Sequence, residues 1–139
     1  MASAAPRFDL PTIEPETQPF WDALKEGKLL LGKCNGCGRM HYYPRPMCPH
    51  CWSEDVSWAE AAGRGTLYTW STVYRNDLPP FNTKLPYIAA QVDLEEGVRI
   101  TTIIVDVEPD QLSIGMAVDI GFEPISENVT IPVFKPAGS

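Results

Sequence analysis

All four cysteines of the chain fall into two Cys-x-x-Cys pairs, Cys34/Cys37 and Cys48/Cys51, with ten residues between the pairs. No other feature limits the fold as strongly. Two residues between thiols let both sulfurs turn inward on one tight loop, so each pair supplies half of a tetrahedral cage. Backbone N–H groups of such a loop point at the sulfurs, which favours glycine just after the second thiol, and Gly38 stands there. Pro49 stiffens the second loop. The gap between pairs is short for a zinc ribbon, yet it accommodates one hairpin out through Met40–Tyr43 and back. The stretch reads as a four-cysteine ribbon around a structural Zn2+. Iron, bound as in rubredoxin, would use the same ligand set and is the nearest rival.

Other uses of these thiols fit less well. Two disulfides would need an oxidising compartment, whereas the chain starts with alanines, Pro6 and Arg7 and shows no apolar core of a secretory signal. The expected location is cytoplasmic. A thioredoxin-type dithiol would need one pair on a βαβ unit, not two facing pairs. His50 lies inside the second loop and His41 in the hairpin; with four thiolates available, both are expected outside the cage, with His50 able to donate to a sulfur. No apolar run approaches the roughly 20 residues of a membrane span. The formal net charge of −7 opposes non-specific nucleic-acid binding, which is largely phosphate neutralisation. The charge is unevenly spread. Between Glu26 and Glu54 there is no acidic residue, while Lys28, Lys33, Arg39 and Arg45 fall there. These cations either offset the negative charge of a four-thiolate metal cage or form a basic face for an acidic partner or a phosphate.

Taken in order, the chain divides at 1–27, 28–61 and 62–139. Met1 to Glu16 forms a proline-rich arm. Thr17 is placed to cap a helix over Gln18–Glu26, with Pro19 in its first turn, Gly27 as its stop and Phe20, Trp21 and Leu24 on one side. Lys28–Lys33 and Val56–Ala61 read as strands flanking the ribbon. After Gly63-Arg64-Gly65 come five segments of β character: Thr66–Arg75, Tyr87–Leu94, Val98–Val107, Ala117–Glu123 and Val129–Lys135. Asp93–Gly97 makes a tight hairpin. Ile88, Ala90, Val92 and Leu94 share one face, as do Val118, Ile120 and Phe122. Pro132 suits an edge strand. Mainly β overall, with five strands at Greek-key spacing, the pattern predicts a small closed barrel of the OB type, a short sandwich being the alternative. Tyr68, Trp70 and Tyr74 fall on one alternating face of the first barrel strand, to be spent either on packing or on stacking a flat ring. The long connection Asn76–Pro86, with Pro79, Pro80, Phe81 and Pro86, suits a binding edge.

Helix, ribbon and barrel in this order resemble the family called domain of unknown function 35. The matching stretches are Pro19-Phe20-Trp21-Asp22-Ala23-Leu24, both cysteine pairs with Pro44-Arg45-Pro46 between them, and Gly63-Arg64-Gly65-Thr66-Leu67-Tyr68. They continue with Leu85-Pro86-Tyr87, Ile114-Gly115-Met116 and Pro132-Val133-Phe134-Lys135-Pro136. The resemblance covers nearly the whole chain. It implies an N-terminal helix, a rubredoxin-like zinc ribbon and an acyl-CoA-associated OB-fold, in an accessory subunit of a hetero-oligomer. The implied partners are thiolase-fold enzymes, namely thiolases, aldolases or acyltransferases, with the OB subunit bridging subunits and helping to shape the CoA channel.

The residues themselves offer no catalytic set. The metal takes every thiol, so none remains as an acyl nucleophile. Neither histidine has a recognisable nucleophile partner, and there is no Gly-x-Ser-x-Gly elbow or phosphate loop. A cage of four thiolates has no open position for activating water. The expectation is therefore a non-enzymatic subunit of a complex acting on acyl-CoA thioesters. A single-stranded nucleic-acid binder and a rubredoxin-like electron carrier are the alternatives. If coenzyme A is shared with the partner, Trp70, Tyr74, Arg75 and Phe81 are the expected lining residues.

Overall fold

In the computed structural model, which describes residues 10–78 and 81–137, helix α1 spans Gln18–Lys25. It buries Phe20, Trp21, Ala23 and Leu24, the side that the sequence spacing marks as apolar. Its end is fixed by the chain itself. Gly27 adopts a left-handed conformation (φ 79°), and the N–H groups of Gly27 and Lys28 bond the carbonyls of Leu24 and Ala23 at 3.1 and 2.9 Å. The start differs from expectation. Thr17 stands at the cap position, but its hydroxyl exchanges bonds with the Glu14 backbone at 3.2 Å and caps no helical N–H. Of the expected arm, residues 1–9 lie outside the described residues, while Leu10 and Ile13 lean on the core.

The ribbon is a three-stranded antiparallel sheet, with β1 (Leu30–Cys34) between β2 (Met40–His41) and β3 (Val56–Glu60). Strand β1 begins at Leu30, two residues later than expected, because Gly27 and Lys28 are consumed in ending the helix. Tyr42 and Tyr43 leave the sheet and pack against α1. The Phe20 and Tyr43 rings meet edge to face at 5.3 Å, and the Trp21 indole donates to the Tyr43 hydroxyl at 3.2 Å.

The remaining strands, β4 (Arg64–Val73), β5 (Tyr87–Leu94), β6 (Arg99–Ile104), β7 (Ala117–Pro124) and β8 (Thr130–Pro136), close into a barrel in the order β4-β5-β6-β8-β7. Ile88, Ala90, Val92 and Leu94 are buried in alternation along β5, and Gly97 (φ 85°) supplies the tight return into β6. The parallel β6–β8 pair joins at Ile104 and Phe134 and makes the closing seam. Pro132 therefore lies on no edge. Strand β8 is paired on both sides, and the Pro132 carbonyl faces the seam, where it accepts the Thr102 hydroxyl at 3.1 Å. Because that seam is a single registered pair, proline's missing N–H breaks no ladder there.

One expected face does not form. A bulge between Leu67 and Thr69 resets the alternation of β4. Leu67 and Trp70 turn to the core, whereas Tyr68 points outward and carries the Arg99 guanidinium over its ring at 3.5 Å. Tyr74 and Arg75 fall beyond the strand. Helix α1 packs on β1, β7 and β8, so Phe20, Leu24, Leu29 and Leu31 join one apolar core with Val92, Ile100 and Phe134 of the barrel. Each such fully buried side chain contributes about 2 kcal/mol of burial free energy.

Candidate metal centre and ligand groove

Strand β1 ends at Cys34 and delivers it to the cage. The Cys34 and Cys51 sulfurs are 3.5 Å apart, those of Cys37 and Cys48 3.7 Å, and all four lie within 4.8 Å of one another. A tetrahedral ion with metal–sulfur bonds of about 2.3 Å sets its sulfurs about 3.8 Å apart, so this donor set fits one metal ion. A disulfide would need about 2.05 Å. Cys34 and Cys48 are buried, and Cys37 and Cys51 are exposed. The two loops use the same device. The Cys37 N–H donates to the Cys34 sulfur at 3.4 Å, and the His50 N–H to the Cys48 sulfur at 3.3 Å. The bond from Cys37 is the chief cause that lowers the Cys34 pKa. Cys51, despite a bond from the Ser53 backbone, is raised by its contact with Cys34, so the pair favours one thiolate, on Cys34.

Neither histidine belongs to the cage. It is the His50 backbone, not its ring, that reaches a sulfur; the ring Nδ1 lies 3.3 Å from Arg39. His41 is 4% exposed, neither ring nitrogen makes a well-formed hydrogen bond among the described residues, and its ring covers Gly32 where any Cβ would collide with it. Burial, opposed by the Arg45 backbone carbonyl and aided by the positive charge of the Arg45 side chain, holds its pKa below the usual 6.5. A histidine with a lowered folded pKa binds its proton more readily in the unfolded chain. Its contribution is thus complete above pH 6.5 and lost as the pH falls from there through the folded value. His41→Leu is expected to flatten the acid limb of a stability–pH curve relative to the parent, both measured by denaturant titration. Parallel curves would show that His41 takes up its proton equally in the folded and unfolded chain, so that its pKa is not lowered by folding.

A second feature lies at the barrel mouth. A groove of about 560 Å³ opens between the end of the β4–β5 connection, the end of β6 and the β7–β8 turn. Phe81 and Tyr87 (ring centroids 6.0 Å apart), Ile104 and Ile125 give it an apolar floor. Lys84, Asp106, Glu108 and Glu123 also line it, three acids against one cation. The long connection that brings Phe81 and Lys84 is the expected binding edge, but neither spacing nor motif pointed to Asp106, Glu108 or Glu123. They come from separate segments, and only closure of the barrel assembles them.

The structure separates the four expected lining residues. Phe81 lies in the groove. Trp70 is half-buried against the core, Tyr74 is 73% exposed in the connection, and Arg75 is exposed beside Asp77 at 3.6 Å. Pro79 and Pro80 lie outside the described residues.

Comparison with known proteins agrees with this architecture. Residues 21–57 match the family model for the ChsH2 rubredoxin-like zinc ribbon domain, and residues 58–123 that for the ChsH2 C-terminal OB-fold domain. A solved structure described as an Ltp2-ChsH2(DUF35) aldolase superposes with a TM-score of 0.82 at 35% identity, over 92% of this chain and 99% of that one. A DUF35 domain-containing scaffold protein of Methanocaldococcus jannaschii is 37% identical over 78% of this chain and 77% of its own length. A probable enoyl-CoA hydratase alpha subunit of Thermomonospora curvata is 35% identical over 91% of this chain, which spans only 39% of that protein's length. Among the described residues no helix is long and apolar enough to cross a membrane.

Proposed function

The chain belongs to the ChsH2/DUF35 family of zinc-ribbon and OB-fold proteins, and from that premise we propose that it is a non-catalytic subunit of a complex acting on acyl-CoA thioesters. The partner it serves is a thiolase-fold enzyme, and both lie in the cytoplasm. One observation carries the reading: the four thiols converge on one closed cage. Zn2+ held there would fix the ribbon's two loops to each other; with four thiolates it has no position for substrate. The chain's own residues then position a partner rather than react.

Coenzyme A belongs, on this reading, to a channel shared with the partner and bordered by Phe81 in the groove and by Tyr74 and Arg75 in the exposed connection. Trp70, packed against the core, is left out of it. The acids at the groove mouth disfavour its phosphates, so the groove around Phe81 suits the neutral pantetheine arm, and Arg75 in the exposed connection suits a phosphate. The same acids, with the net charge of −7, weigh against a single-strand nucleic-acid role.

The test is to purify the thiolase-fold enzyme with and without this chain and assay thioester turnover. The chain alone should be inert, and adding it should restore stability or activity to the enzyme. Arg75→Ala should raise the complex's KM for the acyl-CoA roughly 10-fold, the worth of one charge-assisted bond, with an unchanged melting temperature. Turnover by the isolated chain would refute the proposal, and an unchanged KM would remove Arg75 from the channel.

A further inference from the structure

The two knuckles of the cage are built alike but finished differently. In the first, Gly38 follows Cys37, with φ 78° and its N–H on the Cys34 carbonyl at 2.9 Å. In the second, Trp52 follows Cys51, with φ 70° and its N–H on the Cys48 carbonyl, also at 2.9 Å. The same turn therefore takes glycine once and tryptophan once. A left-handed backbone costs a residue with a Cβ on the order of 1 kcal/mol, and a bulky residue there is uncommon. The indole gains no core packing in return, because Trp52 is 77% exposed. Met47, one residue before the second knuckle, is 38% exposed.

We propose that Trp52 is the anchor by which the ribbon docks on the partner enzyme, its indole filling an apolar pocket of that protein. The surroundings argue for a protein over a phosphate polymer or an anionic membrane. Arg39 reaches His50, which stands two residues before Trp52, whereas exposed Glu54 and Asp55 follow Trp52 in the chain. A rim of mixed sign repels part of any uniformly anionic surface, but it matches a pocket edged by an acid facing Arg39 and a base facing Glu54. An exposed aromatic with a polar rim is the pattern of an interface hot spot.

This assignment rests on the accessory-subunit reading, and the experiment keeps the two apart. The thiolase-fold enzyme isolated with the full-length chain is the titrant for the parent, Trp52→Gly and Trp52→Phe. Trp52→Gly should weaken binding about 30-fold or more, the loss typical of a hot-spot truncation, and Trp52→Phe should recover part of it. The melting temperature of free Trp52→Gly should equal or exceed the parent's, since glycine relieves the backbone. A lower melting temperature would make Trp52 structural and overturn the proposal, as would equal affinity for the enzyme. Vesicles of anionic lipid and a single-stranded oligonucleotide are titrated alongside. Binding to either that is lost in Trp52→Gly would overturn the choice of partner. If the parent binds no thiolase-fold enzyme at all, the accessory-subunit reading itself fails, and the anchor fails with it.

Discussion

Stripping the metal with a chelator is expected to unfold the ribbon and lower the melting temperature of the chain by roughly 10–20 °C. The two-residue strand β2 and the loops at Cys34–Cys37 and Cys48–Cys51 have little apolar interior of their own. An ion held by the four sulfurs is what would order them. Apparent zinc-binding free energies of about 10–16 kcal/mol in small ribbons rival the whole stability of an ordinary domain. With the cage open, Tyr42 and Tyr43 lose their seat against α1, and the near-ultraviolet signal of that aromatic cluster should collapse. The barrel, closed and with Leu67, Val92 and Ile100 fully buried, should keep its β signal. Cys48→Ser should act in the same direction, since it replaces a buried thiolate ligand. Re-adding Zn2+ should restore the parent but not the variant. Metal analysis of the native protein decides between zinc and iron, and a metal-free sample that melts at the holo temperature would refute the structural role.

The cage was legible in the sequence because chelation by Cys-x-x-Cys is local: spacing alone brings two sulfurs together. The helix stop at Gly27 and the alternation of Ile88 to Leu94 were legible for the same reason. The aromatic face of β4 was not. Alternation predicts faces only while the register is unbroken, and the bulge at Tyr68 depends on how β4 pairs with β5. Pro132 misled in a related way. Proline excludes a ladder N–H, and an edge is only one way to satisfy that; an incomplete seam in a closed barrel is another. The groove at the barrel mouth draws on segments far apart in the chain, so no window of residues could reveal it. Trp52 did leave a signal: the knuckle that ends in Gly38 shows which residue its counterpart ought to hold.

Phe20→Ala is expected to cost about 3–5 kcal/mol and, beyond that, to uncouple the ribbon from the barrel. Phe20 is fully buried and touches Trp21 at 5.0 Å, Tyr43 at 5.3 Å and Tyr42 at 5.9 Å between ring centroids. Its helix bears on β1 of the ribbon and on β7 and β8 of the barrel. The ring is thus the point where the ribbon's tyrosines, the helix and the common core meet. Removing it leaves a cavity that these three elements cannot all close at once. In denaturant the parent should unfold in one transition, whereas Phe20→Ala should show two, of which only the first responds to chelator. Phe20→Leu, which keeps most of the volume, should lose far less and remain cooperative. The consequence for assembly follows from rigidity. An enzyme gripping both Trp52 on the ribbon and the groove at the barrel mouth gains from having them held in fixed relation, because the ordering is done before binding. Phe20→Ala should therefore weaken the complex although it touches no partner. A single transition with a loss under about 1 kcal/mol, well below the usual range for a buried phenylalanine, would mean that ribbon and barrel are joined elsewhere.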